Sequence, residues 1–219
     1  MAMIAQLSTE PTLRTFESGE SQFLNLEEFL DQYPDGGGRF ELRDGVIVEM
    51  QATGTHERVA GFLALELGLE IRRLELPFFI PRQAIVKGFE SDRSGYIPDV
   101  MVVDGDRLHH EPLWKLRSTL TQGASIPLAI EVVSQNWQDD YLLKLGQYER
   151  LGIPEYWIVD YLGLGGRRYI GNPKQPTLSI YELSEGEYGL RTFTGDRSIE
   201  SRLFPELKLT AQDIFHQGL

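Results

Sequence analysis

The sequence predicts an α/β protein, a mixed central sheet flanked by helices and followed by extra C-terminal strands. Three observations carry that reading. Residues 99–103, 128–134 and 156–160 are short, nearly continuous apolar runs, the pattern of strands covered on both faces. Residues 56–74 repeat apolar side chains (Val59, Phe62, Leu63, Leu67, Ile71) at helical spacing. A further helical stretch, 139–151, separates the second run from the third. The resulting strand–helix–strand unit should have parallel outer strands and a right-handed crossover.

Taken in order, residues 1–20 are rich in Ser, Thr, Glu and Pro and read as a flexible tail. Residues 21–219 read as a single domain with its core at about 40–160. Asn25 is placed to cap a short helix with Glu27 and Glu28 in its first turn, and the Pro-Asp-Gly-Gly-Gly at 34–38 ends it. Residues 39–41 and 46–49 flank Arg43-Asp44-Gly45, and Asp-Gly between apolar runs signals a hairpin. Thr55 precedes the first long helix. Residues 78–87 read as one strand bounded by prolines. Beyond 160, residues 178–183 and 188–193 alternate as strands, and 211–215 closes as a helix. The glycine-rich 163–168 follows a strand, but no periodic helix follows it, so it reads as a loop and not as a dinucleotide cradle.

Composition narrows the function. The 219 residues carry 21 basic and 33 acidic side chains, a net charge of −12. Residues 1–50 hold ten acids and three bases, so −7 of the excess lies there and −5 in the rest. A protein that coats DNA through a broad basic stripe is excluded; any nucleic-acid surface is local, with metal ions supplying positive charge. No stretch approaches the ~20 apolar residues of a membrane span, so no membrane partner is expected. The absence of cysteine excludes disulfides, thiolate metal sites and cysteine nucleophiles. The first residues lack a basic region followed by an apolar segment, so no secretory signal is read, and the absence of cysteine fits the cytoplasmic location expected.

Charges inside apolar strands are the informative positions, because ionised groups are rarely buried without a partner or a metal. Glu131 lies within Leu128-Ala129-Ile130-Glu131-Val132-Val133, and Asp99 opens a second such run. Two carboxylates converging from adjacent strands would make a hard-oxygen site for magnesium or manganese. Alternatively, Asp99 caps the strand entrance after Pro98 and Glu131 pairs with a structural arginine. On the following helix Asp140, Lys144, Tyr148 and Gly152 recur at i+4, a stripe that carries Lys144 towards Glu131 if it faces the sheet. If it faces solvent, Asp140 and Lys144 form a surface pair of small energy.

These pieces together resemble a known family. Pro98-Asp99 followed by Glu131-Val132-Val133 is similar to the PD-(D/E)XK nuclease signature, with valine at the lysine position. With Asp140-x3-Lys144-x3-Tyr148-x3-Gly152 and the segment 153–160, the set resembles the Uma-type restriction endonuclease family. The matching stretch runs over about 40–160, including the 40–45 hairpin and the Thr53-Gly54-Thr55-His56 helix entry. The resemblance implies a restriction-endonuclease-like core and a Mg2+- or Mn2+-dependent endodeoxyribonuclease. It implies Asp99, Glu131 and the main-chain carbonyl of Val132 as metal donors, with Lys144 standing in for the absent strand lysine. His56, at the first helix entry, would assist a second metal or contact phosphate, with Glu57 as the alternative; a bond to a carbonyl accounts for it equally well. Glu41 and Glu49 would approach from the hairpin. Duplex DNA is the implied partner, and symmetric cutting of it would suit a homodimer. The runner-up reading is a catalytically weak nuclease-fold binding or assembly module, motivated by Val133 and the −12 charge.

Overall fold

A computed structural model describes residues 23–34 and 37–219; the tail expected over 1–20 lies outside them. The chain opens with helix α1 (Leu26–Asp31). Its capping box is complete: Asn25 Oδ1 accepts from the Glu28 amide at 2.9 Å and the Glu28 carboxylate accepts from the Asn25 amide at 2.8 Å. Such a cap contributes about 1 kcal/mol. Strands β1 (Arg39–Arg43) and β2 (Val46–Met50) form the expected hairpin. Asp44 and Gly45, at φ 48° and 87°, adopt the two left-handed conformations that a tight hairpin turn demands.

Helix α2 (Gly54–Arg73) begins earlier than the pattern suggested, because Thr53 and not Thr55 is its cap. The Thr53 hydroxyl accepts from the His56 amide, and Thr55 is left to bond the Tyr161 hydroxyl at 3.2 Å. The single strand expected over 78–87 is two: β3 (Phe78–Phe79) and β4 (Ile85–Lys87). Strand β5 (Gly95–Tyr96), strand β6 (Val100–Asp104), helix α3 (Trp114–Arg117) and strand β7 (Thr119–Leu120) follow. Next come β8 (Leu128–Val132), helix α4 (Leu145–Leu151) and β9 (Glu155–Asp160). Helix α5 (Arg167–Ile170), strands β10 (Thr177–Ser184) and β11 (Glu187–Phe193) and helix α6 (Ala211–Phe215) complete the described chain.

The strands form two mixed sheets, ordered β2-β1-β5-β4-β7 and β11-β10-β9-β8-β6-β3. Strands β3 and β4 belong to different sheets, which is why 78–87 breaks. The parallel pairing of β8 with β9 matches the strand–helix–strand expectation. In the larger sheet, Val100, Val102, Leu128, Ile130, Val132 and Val159 pack with the Val59, Leu63, Leu67, Ile71 stripe of α2. Met101, Ala129, Val133 and Ile158 pack on the other face with Tyr141 and Tyr148. Burial on both faces is the reason these strands lack alternation.

The shortest crossing between the sheets is Ile97-Pro98-Asp99, through which the chain passes from β5 in the smaller sheet directly into β6 of the larger one. Asp99 therefore lies at the seam. The antiparallel register that pairs Val100 with Ile130 sets it opposite Glu131.

Candidate active site

Strand β1 builds one wall. Phe40 and Leu42 point into an apolar cluster with Phe29 and Ile85, so the strand's alternation turns Arg39, Glu41 and Arg43 the other way. Arg39 Nη1 donates to Asp99 Oδ1 at 3.1 Å, and its other terminal nitrogen donates to the carbonyls of Ile97 and Pro98. Arg43 bridges Glu41 Oε2 at 2.7 Å and Asp139 at 2.5 Å. The Ile97 amide donates to Glu41 Oε1 at 3.0 Å, tying the hairpin to the seam.

Strand β8 and the helix after it build the opposite wall. That helix differs from a plain α-helix: Asp139–Lys144 is a π-helical stretch that runs into α4. Its wider turn, a feature frequent at functional sites, buries Asp140, Tyr141 and Lys144 together, and the Tyr156 hydroxyl donates to the Asp140 carbonyl at 3.1 Å. The stripe expected at 140, 144 and 148 faces inward. Lys144 is 1% exposed, and its Nζ lies 3.0 Å from Glu41 Oε1 and 3.1 Å from Glu131 Oε1. The Tyr148 hydroxyl donates to the same Glu131 oxygen at 3.0 Å. No Asp140–Lys144 ion pair forms among the described residues.

The third wall is the start of α2. His56 Nε2 lies 3.1 Å from Asp99 Oδ2 and 2.9 Å from the Val132 carbonyl oxygen. Asp99 Oδ2 also accepts from the Val132 amide at 2.9 Å. His56 Nδ1 is buried without a hydrogen-bond partner among the described residues.

Protonation follows from this crowding. Burial drives the Asp99 carboxyl upward, but the His56 bond and the charges of His56, Arg39 and Lys144 overrule it and bring it down to about 2. Glu131 goes the other way. Burial, with Asp99 and Glu41 as like charges, outweighs Lys144 and pushes it up to about 7. Glu41, where burial is outweighed by Lys144 and Arg43, stays below the ordinary glutamate value. Burial disfavours the Lys144 ammonium, yet Glu131, Glu41, Asp140 and Asp99 hold it above its ordinary value. His56 is likewise raised despite burial, chiefly by Asp99. Asp140 is raised as well, by burial and by Glu131, Asp99 and Glu41 as like charges, against Lys144; raised carboxyls of this kind are expected when like charges share a dry site.

Asp99, Glu131, Val132, Lys144 and His56 accordingly lie in one cluster, joined by Glu41. Glu49 does not join: it pairs with Phe40 across the hairpin, on the face turned from the site. Glu57 stays at its rim, more than half exposed and 3.8 Å from Arg39. Arg39, Arg43 and Asp139 belong to the cluster but were not singled out from sequence; the Arg-x-Glu-x-Arg alternation in β1 was the available signal. Val133 shares the Glu131 face of β8, so the ammonium of Lys144 enters on the side a lysine at 133 would have occupied.

Comparison with known proteins agrees with this architecture. The model of the Uma2 family, described as "Putative restriction endonuclease", matches residues 26–212, most of the chain. The chain belongs to the Uma2 family. No curated protein matches it. A solved structure, that of "a putative nuclease belonging to DUF820" from Anabaena variabilis, superposes with a TM-score of 0.67 over 90% of this chain and 99% of that one. At 16% identity it speaks for the fold alone. Restriction-endonuclease-like families generally use divalent metals. Among the described residues of this Uma2 chain, no three His, Asp or Glu side chains form a ready-made cage. The donor set still fits magnesium, which keeps several waters and needs only one or two carboxylates. Asp99, Glu131 and the Val132 carbonyl supply hard oxygens at one strand edge. No helix among the described residues is long and apolar enough to cross a membrane.

Proposed function

We propose that this chain is a divalent-metal-dependent endonuclease that hydrolyses DNA phosphodiester bonds, using Mg2+ or Mn2+. The observation that carries the reading is the buried Lys144 ammonium, 3.1 Å from Glu131 and bracketed by Glu41, beside an Asp99 bonded to the Val132 amide. Asp99, Glu131 and the Val132 carbonyl are the proposed metal donors. A dication bound there would lower the pKa of an attacking water and offset charge on the phosphate. Lys144 takes the part the valine at 133 cannot: its ammonium orients the water and stabilises the charge developing on the phosphoryl oxygens. Glu41 holds that ammonium in place from the hairpin side. His56, bonded to both Asp99 and the Val132 carbonyl, sets their orientation and offers a proton donor at the phosphate edge. Arg39 holds the outer oxygen of Asp99 and adds positive charge where the phosphate would enter.

The test is nicking of supercoiled plasmid with magnesium or manganese, comparing wild type with Asp99→Ala and with the metal chelated. Wild-type nicking that is lost in both comparisons supports the reading. Equal nicking by wild type and variant assigns the activity to a contaminant and removes it. A second reading, a nuclease-fold binding module, is favoured by Arg39 and His56 already occupying the oxygens of Asp99. It predicts a folded protein with no metal-induced thermal shift.

A further inference from the structure

The glycine-rich segment after β9 is not used by the chemistry above, yet it is firmly built. Asp160 accepts from the Leu164 amide at 2.8 Å and the Gly165 amide at 2.7 Å, which fixes the turn. Gly165 is required by space: a Cβ there would come 2.9 Å from Asp160 and 3.1 Å from the Tyr141 ring. Gly166 sits equally tight on Trp137. Lys174 Nζ closes the far end of the loop on the Leu164 carbonyl at 2.9 Å.

Its charge stands out against the rest of the chain. Residues 161–181 contain Arg167, Arg168 and Lys174 and no acid, within a protein of net charge −12. All three are exposed, and among the described residues none of them forms an ion pair. Arg168 is held over the Tyr169 ring, its Cζ 4.5 Å from the centroid, and also donates to the Tyr169 hydroxyl. Tyr169 in turn stacks on Tyr141 at 4.6 Å, a residue of the same π-helical stretch that supplies Lys144. At the other flank Tyr161 bonds Thr55, the neighbour of His56. The loop thus leaves β9 beside the carboxylate edge of β8, where the Val133 amide donates to Val159.

We propose that the 163–174 loop is a phosphate clamp, in which Arg167, Arg168 and Lys174 bind the backbone of duplex DNA beside the Glu131–Lys144 cluster. The clamp rests on the nuclease reading for its substrate. It explains how so acidic a chain would hold a polyanion: three exposed cations outside any ion pair among the described residues, one of them seated on an aromatic ring, form a local attractive surface next to the site.

Binding of a fluorescein-labelled duplex, followed by polarisation in EDTA across a salt series, tests it without cleavage. The variant Arg167→Ala/Arg168→Ala/Lys174→Ala is compared with Lys115→Ala/Arg202→Ala/Lys208→Ala, which removes the same charge from exposed sites elsewhere. For the loop variant, the slope of log affinity against log salt should fall by about 3, roughly one per phosphate contact, and low-salt affinity by at least about tenfold. The second variant should match wild type. Far-ultraviolet circular dichroism confirms folding, and a Gln triple variant replaces the Ala one if folding is lost. No duplex binding by wild type, or equal slopes for all three proteins, overturns the clamp. Slope loss without any plasmid nicking would sink the nuclease reading and leave the clamp standing; nicking with unchanged slopes would do the reverse.

Discussion

Strands β8 and β9 are parallel neighbours, both buried on both faces and both carrying carboxylates, but they settle those charges differently. On β8, Glu131 meets an ammonium and a tyrosine hydroxyl, and across the seam Asp99 meets a guanidinium and an imidazole. On β9, Glu155 accepts from the Trp157 indole at 2.6 Å and the Leu203 amide at 3.0 Å, while Asp160 accepts two loop amides. Main-chain and indole donors are fixed parts of the scaffold, so the β9 carboxylates are fasteners. The β8 group has the Tyr148 hydroxyl and the Val132 amide as fixed donors too, but its remaining partners are cationic side chains that can exchange a carboxylate for a phosphate. Burial therefore does not identify a functional acid; the nature of its partner does.

Replacing Lys144 by Met should have the largest effect. It leaves Glu41 and Glu131 buried without their shared cation, a loss of about 3–5 kcal/mol in denaturant unfolding. Metal-dependent nicking by the remaining folded protein should fall at least about a hundredfold. Unchanged stability would break the comparison, because the cluster would then be as self-sufficient as the β9 pair.

Asp160→Asn should cost less, about 1–3 kcal/mol, because one loop amide loses its acceptor. A manganese-induced rise in melting temperature should survive this change and disappear in Asp99→Asn. Loss of the rise in both variants would mean that the two carboxylates do not divide as described.

Glu155→Gln is expected to be mildest, at about 1 kcal/mol, and to leave nicking intact. It sharpens the contrast through pH. Burial, the largest influence, raises the Glu155 pKa against the bonds from Ser201, Trp157 and Leu203. A folded pKa above the unfolded one means that protonation favours folding. This group's contribution is therefore full below the ordinary glutamate value and lost as pH rises through the folded value. Denaturation midpoints measured over acid to neutral pH should lose that falling component in the Gln variant.

Much of this was legible beforehand. The continuous runs at β6, β8 and β9 predicted buried strands, and the i+4 spacing of 140, 144 and 148 marked a single stripe whose direction, towards the sheet or towards solvent, it left open. The split at 78–87 was not legible, because an apolar run does not say which of two sheets each half will join. The π-helical stretch was hidden as well: residues 139–144 carry an ordinary helical pattern, and the Tyr156 hydroxyl that bonds the Asp140 carbonyl comes from another strand. Arg39 and Asp99 lie 60 residues apart, and no local pattern pairs them.

By itself the sequence determined the alternation of strands and helices, the placing of charges at 99, 131 and 144, and the acid-free stretch at 161–181, because these are properties of neighbouring residues and their periodicity. Only the tertiary structure decided that Glu41, and not Glu49, completes the cluster, that Arg39 and His56 share Asp99, and that the basic loop stands beside it. Those outcomes depend on strand register and on the crossing at Ile97-Pro98-Asp99, where a buried charge finds its partner through the packing of whole sheets.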